Sequence, residues 1–323
     1  MVSFISRLPY RPPPRIRGTF GVALSGLALA ACCVLAGCAS RRPATGARSE
    51  TSERLSEQAR HAREQGDLQT AETLLTAAVE RNPGDAEMRL ELAELLLEHG
   101  NSGAAAKNLR QLIHQHPDDP RPYVGLAEAL FAQQNLNESE DLVERALELD
   151  PRHTRGLVLR GKIARARRHD DAALRDYYQV LAFEPEDVEA RMLIAELHVE
   201  RGDQRLAAPL LRSIIEAAET PDSQRCRAQW LLGQCYARDE RWPDAARALG
   251  AGIAGRRSSA RDWYELAEAR RHAGDTPGAQ LAVGEALRLA PTDPRLLALE
   301  AALYDQPRSA GFRAAPVDAG VRE

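Results

Sequence analysis

The sequence has few of the residues on which catalytic and metal-binding sites depend. Its 323 residues include five cysteines and eight histidines, and the histidines do not recur at the spacings of metal ligands. It contains no glycine-rich phosphate loop, no Gly-x-Ser-x-Gly turn and no His-Glu-x-x-His helix. These absences predict a protein that is not an enzyme and that needs no metal, cofactor or small-molecule substrate.

Aromatic residues and lysines are also scarce. Aromatic residues make up 5% of the chain, and the only lysines are Lys107 and Lys162. The 43 basic and 47 acidic residues alternate along the chain, which is typical of a solvated protein surface and not of a nucleic-acid interface. No useful stretch alternates between apolar and polar residues, so we expect no β-sheet.

The two cysteines of the C-terminal half lie on one predicted helix. Cys226 and Cys235 are nine residues apart, which corresponds to about 13.5 Å along a helix. The Cα atoms of a disulfide are at most about 7 Å apart, so these two residues cannot pair with each other. We expect two half-buried thiols, with an intermolecular disulfide as the alternative.

The most regular feature of the chain is a period of 34 residues. Four prolines recur at this interval: Pro83, Pro117, Pro151 and Pro185. Twelve residues before each of them lies a small residue: Ala71, Ala105, Ser139 and Ala173. Two antiparallel helices of about a dozen residues with short turns fill such a period, the small residues allow close approach, and the proline ends the second helix.

This pattern resembles the tetratricopeptide repeat. Units begin at Ser52, Ala86, Pro120, Thr154, Val188, Cys226 and Ala260. The resemblance implies an all-α fold, a right-handed superhelical solenoid of about seven helix pairs over residues 52–305. A helix from Pro294 is expected to cap it, and residues 306–323 are predicted to be disordered.

Two departures from the repeat pattern are visible. Four residues are inserted near residues 217–223, before the sixth unit. The fourth unit has Arg160 where the family has leucine, and Arg168 followed by His169 where it has Gly-Asp.

In the family, one stripe of each first helix lines a concave groove, which implies a set of partner-contacting residues here. They are the large residues at the fifth and twelfth positions and two arginines at the second: Leu90, Val124, Phe131, Val158, Met192, Arg227, Trp230, Arg261 and Tyr264. Such an apolar column flanked by charge is typical of a groove for a protein or peptide partner. The alternative is that the fifth position packs against the neighbouring repeat.

The N-terminus resembles a lipoprotein signal. Residues 1–37 begin with arginines and no acid and continue as an apolar run from Phe20. The run ends in Leu-Ala-Gly before Cys38, which resembles the lipobox of bacterial lipoproteins, in which the cysteine is lipidated. The alternative is an uncleaved membrane helix over residues 20–39.

Residues 38–51 are polar and contain proline and glycine, so we expect a flexible tether. Asp after the lipidated cysteine retains such lipoproteins in the inner membrane. Ala39 stands there, which implies the periplasmic face of the outer membrane.

These expectations together indicate a membrane-anchored adaptor that assists assembly of an envelope complex, such as a pilus or secretion secretin or an export machinery. A non-catalytic regulatory arm of a peptidoglycan or polysaccharide enzyme is the alternative. A further alternative is that the protein is itself an enzyme.

Overall fold

The structure, a computed structural model, describes residues 45–255 and 257–304, with side chains from residue 50. Within these residues it contains fifteen α-helices and no strand. They are α1 Thr45–Glu64, α2 Leu68–Arg81, α3 Ala86–Glu98, α4 Ser102–Gln115, α5 Pro120–Ala132, α6 Leu136–Leu149, α7 Thr154–Ala166, α8 Asp170–Phe183, α9 Val188–Arg201, α10 Gln204–Glu216, α11 Asp222–Arg238, α12 Trp242–Ala254, α13 Ala260–His272, α14 Thr276–Leu289 and α15 Pro294–Tyr304.

The helices form seven consecutive antiparallel pairs, from α1–α2 to α13–α14, followed by the single helix α15. Each helix packs mainly on the helices before and after it in the chain. The predicted all-α solenoid of about seven helix pairs is confirmed.

A small buried residue lies near the start of the second helix in each pair. All seven are fully buried: Ala71, Ala105, Ser139, Ala173, Ala207, Ala245 and Ala279. A side chain no larger than alanine or serine allows the paired helices to approach closely at this point. Ser139 also fits because its hydroxyl donates a 2.7 Å hydrogen bond to the carbonyl oxygen of Ala127. The 34-residue period of the sequence therefore reflects a helix contact that recurs once in each repeat.

The turn within each pair has a left-handed residue at the same position. All seven have a positive φ: Gly66, Gly100, Gln134, Arg168, Gly202, Glu240 and Gly274. Glycine adopts this conformation without strain, whereas a side chain disfavours it. Three of the seven repeats therefore keep the turn geometry without the residue that best suits it.

Gln134→Gly is expected to raise the free energy of unfolding by about 0.5 to 1 kcal/mol. The change removes the cost of a left-handed glutamine, and part of the gain is offset by the greater entropy of glycine in the unfolded chain. Urea unfolding measures the difference. The matched control is Gly100→Ala, which places a side chain at the equivalent turn with φ of 80° and should destabilise; equal stability of both variants would contradict the explanation.

Two helices start earlier than the repeat pattern predicts. Helix α1 begins at Thr45, so it includes part of the segment that composition assigns to a tether. Helix α11 has 17 residues where α9 has 14, because it begins at Asp222 instead of Cys226. The insertion before the sixth unit thus becomes an extra helical turn and the loop before it. The Arg225 side chain holds this loop through a 3.0 Å hydrogen bond to the carbonyl oxygen of Thr220.

Helix α15 covers the last pair. Leu296, Leu299 and Leu303 are buried along one face, and the last two belong to the apolar cluster of the final repeat. On the opposite face Leu297 and Tyr304 are exposed.

Several predictions concern residues outside the described part of the chain. The signal segment 1–37, the lipidation site Cys38 and the tail 306–323 all lie there. Among the helices that the structure describes, none is long and apolar enough to span a lipid bilayer.

Candidate functional site

The first helices of the pairs form the inner wall of the solenoid. First helices of neighbouring repeats contact each other: α3 contacts α5, α5 contacts α7, and α9 contacts α11. They do so although the second helix of a repeat lies between them in the sequence. In a curved stack, the elements on the inside of the curve are closest to one another. The first helices therefore line the concave side, as the resemblance implied.

Three depressions follow this inner wall toward the C-terminus. The first, of about 480 Å³, lies between Phe131 and Arg168, and it shares Arg165 and Glu200 with the second, of about 490 Å³. The second shares three residues with the third, of about 290 Å³; these are Gln234, Arg238 and Arg261. Because each depression shares lining residues with the next, they form one groove across helices α5 to α13, called the inner groove below.

Four of the residues predicted to contact a partner are buried in the helix packing. Leu90, Val124, Val158 and Met192 are each at most 7% exposed and belong to apolar clusters between helices. They expose almost no surface that a partner could contact. At these four positions the burial fits the alternative interpretation, in which the fifth position of a first helix packs against the neighbouring repeat.

The aromatic members of the predicted set are placed differently. Phe131 lines the first depression, Trp230 the second and Tyr264 the third. All three are partly buried, and Trp230 packs against the apolar clusters on both sides of it. Burial raises the pKa of the Tyr264 phenol above its usual range.

Close contact with helix α12 fixes the position of Trp230. A Cβ atom added to Gly252 would lie 2.7 Å from the Trp230 backbone nitrogen. One added to Gly233 would lie 2.8 Å from the backbone nitrogen of Leu249. Both distances are too short for any larger residue. The two glycines allow α11 and α12 to touch, and α11 thereby presents Trp230 at the inner groove.

The arginines of the predicted set are already paired with acidic residues of this chain. Arg227 contacts Glu196 of the preceding first helix at 2.7 Å, and Arg261 contacts Glu265 of its own helix at 3.2 Å. Further toward the N-terminus, Arg155 contacts Glu128 at 2.6 Å and Glu94, two repeats away, at 2.7 Å.

These ion pairs between repeats were not predicted from the sequence. The available signal was an arginine at the second position of a first helix and a glutamate at the ninth position of an earlier first helix.

The unusual Arg160 of the fourth repeat has a specific partner. Its guanidinium forms two hydrogen bonds with the Asp176 carboxylate, at 3.0 and 2.6 Å, and Asp176 is buried. Arg160 thus replaces the leucine of the family pattern, and the buried Asp176 carboxylate of α8 balances its charge. Beside this pair Gly161 packs against the buried ring of Tyr177, where an added Cβ would come within 2.3 Å of the ring.

Cys226 and Cys235 are free thiols in the single chain; Cys226 is half-buried as expected, whereas Cys235 is buried more deeply than expected. Cys235 is buried, and burial raises the pKa of its thiol to about 11, so it stays protonated. Among the residues that the structure describes, no three His, Cys, Asp or Glu residues are grouped so that they could hold a metal ion.

A curated relative of this chain is cellulose synthase operon protein C of Xanthomonas axonopodis pv. citri (strain 306). It is 28% identical over 175 residues, which cover 47% of this chain and 11% of the relative. The chain thus spans about a tenth of the length of that protein.

Two similar solved structures are Pseudomonas aeruginosa pilF and PilW, a widely conserved type IV pilus biogenesis factor. The first is 15% identical, with a TM-score of 0.60, 67% of this chain covered and 97% of that one. The second is 16% identical, with a TM-score of 0.55, 66% of this chain covered and 97% of that one. At these identities the likeness concerns the fold.

Tetratricopeptide repeat models match the sequence directly. One matches residues 56–120, 155–224 and 193–261, and another matches residues 96–163. Together they extend without a gap from residue 56 to residue 261, more than half of the chain. With its 34-residue packing period and its paired helices, this chain belongs to the tetratricopeptide repeat family.

Proposed function

We propose that this protein is a membrane-anchored scaffold that holds a segment of a partner protein while a cell-envelope complex assembles. The observation that carries the proposal is the inner groove, where three depressions adjoin and each contains at least one partly buried aromatic residue. Aromatic side chains in partly desolvated pockets commonly dominate protein-binding energy. The groove can bind and position a partner, and its residues suggest no bond-breaking chemistry.

The envelope location rests on the N-terminal sequence. A lipid on Cys38 would fix the protein to the periplasmic face of the outer membrane, with residues 38–44 between the lipid and α1. The similar fold of a type IV pilus biogenesis factor supports a role in assembling such structures. Because likeness of fold does not fix function, this role is tested below by identifying the partner.

A second candidate function is a regulatory arm in polysaccharide synthesis. The similarity to cellulose synthase operon protein C favours this second function, since the alignment covers 47% of this chain. In this case the partner in the inner groove would belong to a polysaccharide synthase. Identifying the protein that binds in the inner groove distinguishes the two candidate functions.

Cys38→Ser is expected to abolish fatty-acid labelling of the protein in cells and to shift it toward the soluble fraction. Several acyl chains bind a membrane firmly, whereas a chain without them has no such anchor. The measurement is metabolic labelling with a fatty-acid probe, followed by fractionation. Labelling that persists in the variant would rule out Cys38 as the lipidated residue.

The same cells identify the partner. A photo-reactive amino acid replaces Gln234, which lines the second and third depressions, and the matched control carries it at the exposed Leu206 of α10, which lines none of the three depressions. We expect a cross-link from position 234, to a pilus, secretin or export component, that is absent from position 206 and weaker in Cys38→Ser. A polysaccharide synthase subunit there would favour the second candidate, and equal cross-linking at both positions would contradict the groove.

A further inference from the structure

The charged side chains beside Trp230 and Tyr264 differ in exposure according to their sign. In the Arg227–Glu196 pair the arginine side chain is 60% exposed and the glutamate 10%. In the Arg261–Glu265 pair the arginine is 82% exposed and the glutamate 21%. A molecule that enters this part of the inner groove therefore meets guanidinium groups first, with the carboxylates beneath them.

These guanidinium groups retain capacity to bind a second acceptor. A guanidinium has five N–H donors. Arg227 contacts one oxygen of Glu196 through Nε and one terminal nitrogen, both at 2.7 Å. Arg261 contacts Glu265 through Nε alone. The remaining donors suit a carboxylate, because arginine and carboxylate form charge-assisted, often bidentate hydrogen bonds.

The third depression adds an apolar pocket next to these arginines. Its apolar lining includes Trp242, Leu249, Tyr264 and Ala269. Its charged lining consists of Arg238, Arg261, Glu265 and Glu268, of which Arg261 is by far more exposed than either glutamate. The Trp242 ring stacks on His272, with the ring centroids 4.2 Å apart, which holds one wall of the pocket in place. A volume of about 290 Å³ is at the lower end of the range for whole ligands and suits a single bulky side chain.

We propose that the C-terminal part of the inner groove, from Arg227 to Tyr264, binds an acidic peptide segment that carries a bulky apolar side chain. The apolar side chain enters the pocket beside Trp242, and neighbouring carboxylates bind Arg227 and Arg261. The inference rests on the proposed function, since it specifies the chemistry of the segment held in the same groove.

An exposed acid marks where the acid-binding part ends. Glu200 is 57% exposed and lies at the α7–α9 side of the second depression, where it pairs with Arg165. A carboxylate of the peptide would be repelled there, so the acidic residues of the segment lie toward α11 and α13. Charge complementarity of this kind sets the orientation and speeds association.

The test selects random phage-displayed peptides on the wild-type protein and on a variant that combines Arg227→Glu and Arg261→Glu. The wild type should enrich peptides with Asp or Glu near Phe, Trp or Leu, and the variant should lose these peptides. A synthetic copy of an enriched peptide should bind the variant at least about tenfold more weakly, which corresponds to one lost charge-assisted hydrogen bond per complex. Fluorescence anisotropy measures both affinities.

Two controls separate charge from folding. Arg247→Glu reverses an equally exposed arginine, 81% exposed on α12, that lines neither the second nor the third depression; it should leave peptide affinity unchanged. The doubly substituted variant should be folded by circular dichroism but melt at a lower temperature, because Arg227→Glu removes the partner of the buried Glu196 carboxylate. Peptide affinities are therefore compared at a temperature at which both proteins are folded, and again with Arg227→Gln and Arg261→Gln, which remove the guanidinium groups without adding carboxylates.

The outcomes distinguish this inference from the proposed function. If the peptide binds equally well after its carboxylates are replaced by amides, the acidic specificity is wrong, although the groove still binds peptides. If no acidic peptide is enriched while position 234 still cross-links to an envelope protein, the inference is overturned and the proposed function stands. If neither is observed, both are overturned.

Discussion

Arg160→Leu is expected to destabilise the protein by about 2 kcal/mol, although leucine is the residue that the repeat pattern favours at this position. The substitution leaves the buried Asp176 carboxylate without the guanidinium that now donates two hydrogen bonds to it. A buried charge without its partner costs more than the packing of a leucine returns. Chemical denaturation monitored by circular dichroism measures the change.

The matched control combines Arg160→Leu with Asp176→Leu. Replacing both members of a buried ion pair with apolar residues is often neutral or stabilising, so the double variant should recover most of the lost stability. If the single variant is as stable as the wild type, the ion pair contributes nothing and the explanation of this irregular repeat fails.

Trp230→Ala is expected to lower the free energy of unfolding by about 2 kcal/mol or more. The indole packs against the apolar clusters on both sides of α11, and truncation of a buried Trp leaves a cavity. Because Trp230 also lines the inner groove, the same change should abolish partner binding at temperatures at which the variant is still folded. Thermal unfolding and binding are therefore both measured.

Two comparisons assign the two roles of this residue. Trp230→Phe keeps most of the packing and should restore most of the stability. Arg261→Glu, at a side chain that is 82% exposed, should weaken binding with only a small change in stability. If Trp230→Ala melts much lower while its folded fraction still binds normally, Trp230 is a packing residue alone. Unchanged melting with lost binding would instead mean that it contributes only to the groove.

The helix arrangement could be predicted from the sequence because packing imposes a repeated constraint. Each repeat needs a residue no larger than alanine or serine at one crossing, as at Ala105 and Ser139, and a helix stop after the second helix. These constraints recur at a fixed interval, so they remain visible without an alignment. The insertion before the sixth repeat was also visible, but its conversion into an extra turn of α11 depends on local contacts such as that of Arg225.

The inner groove could be predicted only in part. An apolar residue at the fifth position of a first helix is equally suited to helix packing and to partner binding, and only the surrounding side chains decide its exposure. Leu90 and Val124 fit entirely between helices, whereas Trp230 and Tyr264 remain partly accessible at the groove. The pairing of Arg227 with Glu196 depends on the distance between neighbouring repeats, which the sequence does not state.

The contacts of Arg155 have a mechanical consequence. This side chain connects three successive first helices, through Glu128 and Glu94, and it is 46% exposed. Salt screens exposed ion pairs strongly but leaves the apolar clusters between helices intact. The ion pairs of Arg155 therefore weaken as ionic strength rises, whereas the apolar packing between the same helices does not. We expect these repeats to bend more easily at high salt concentration.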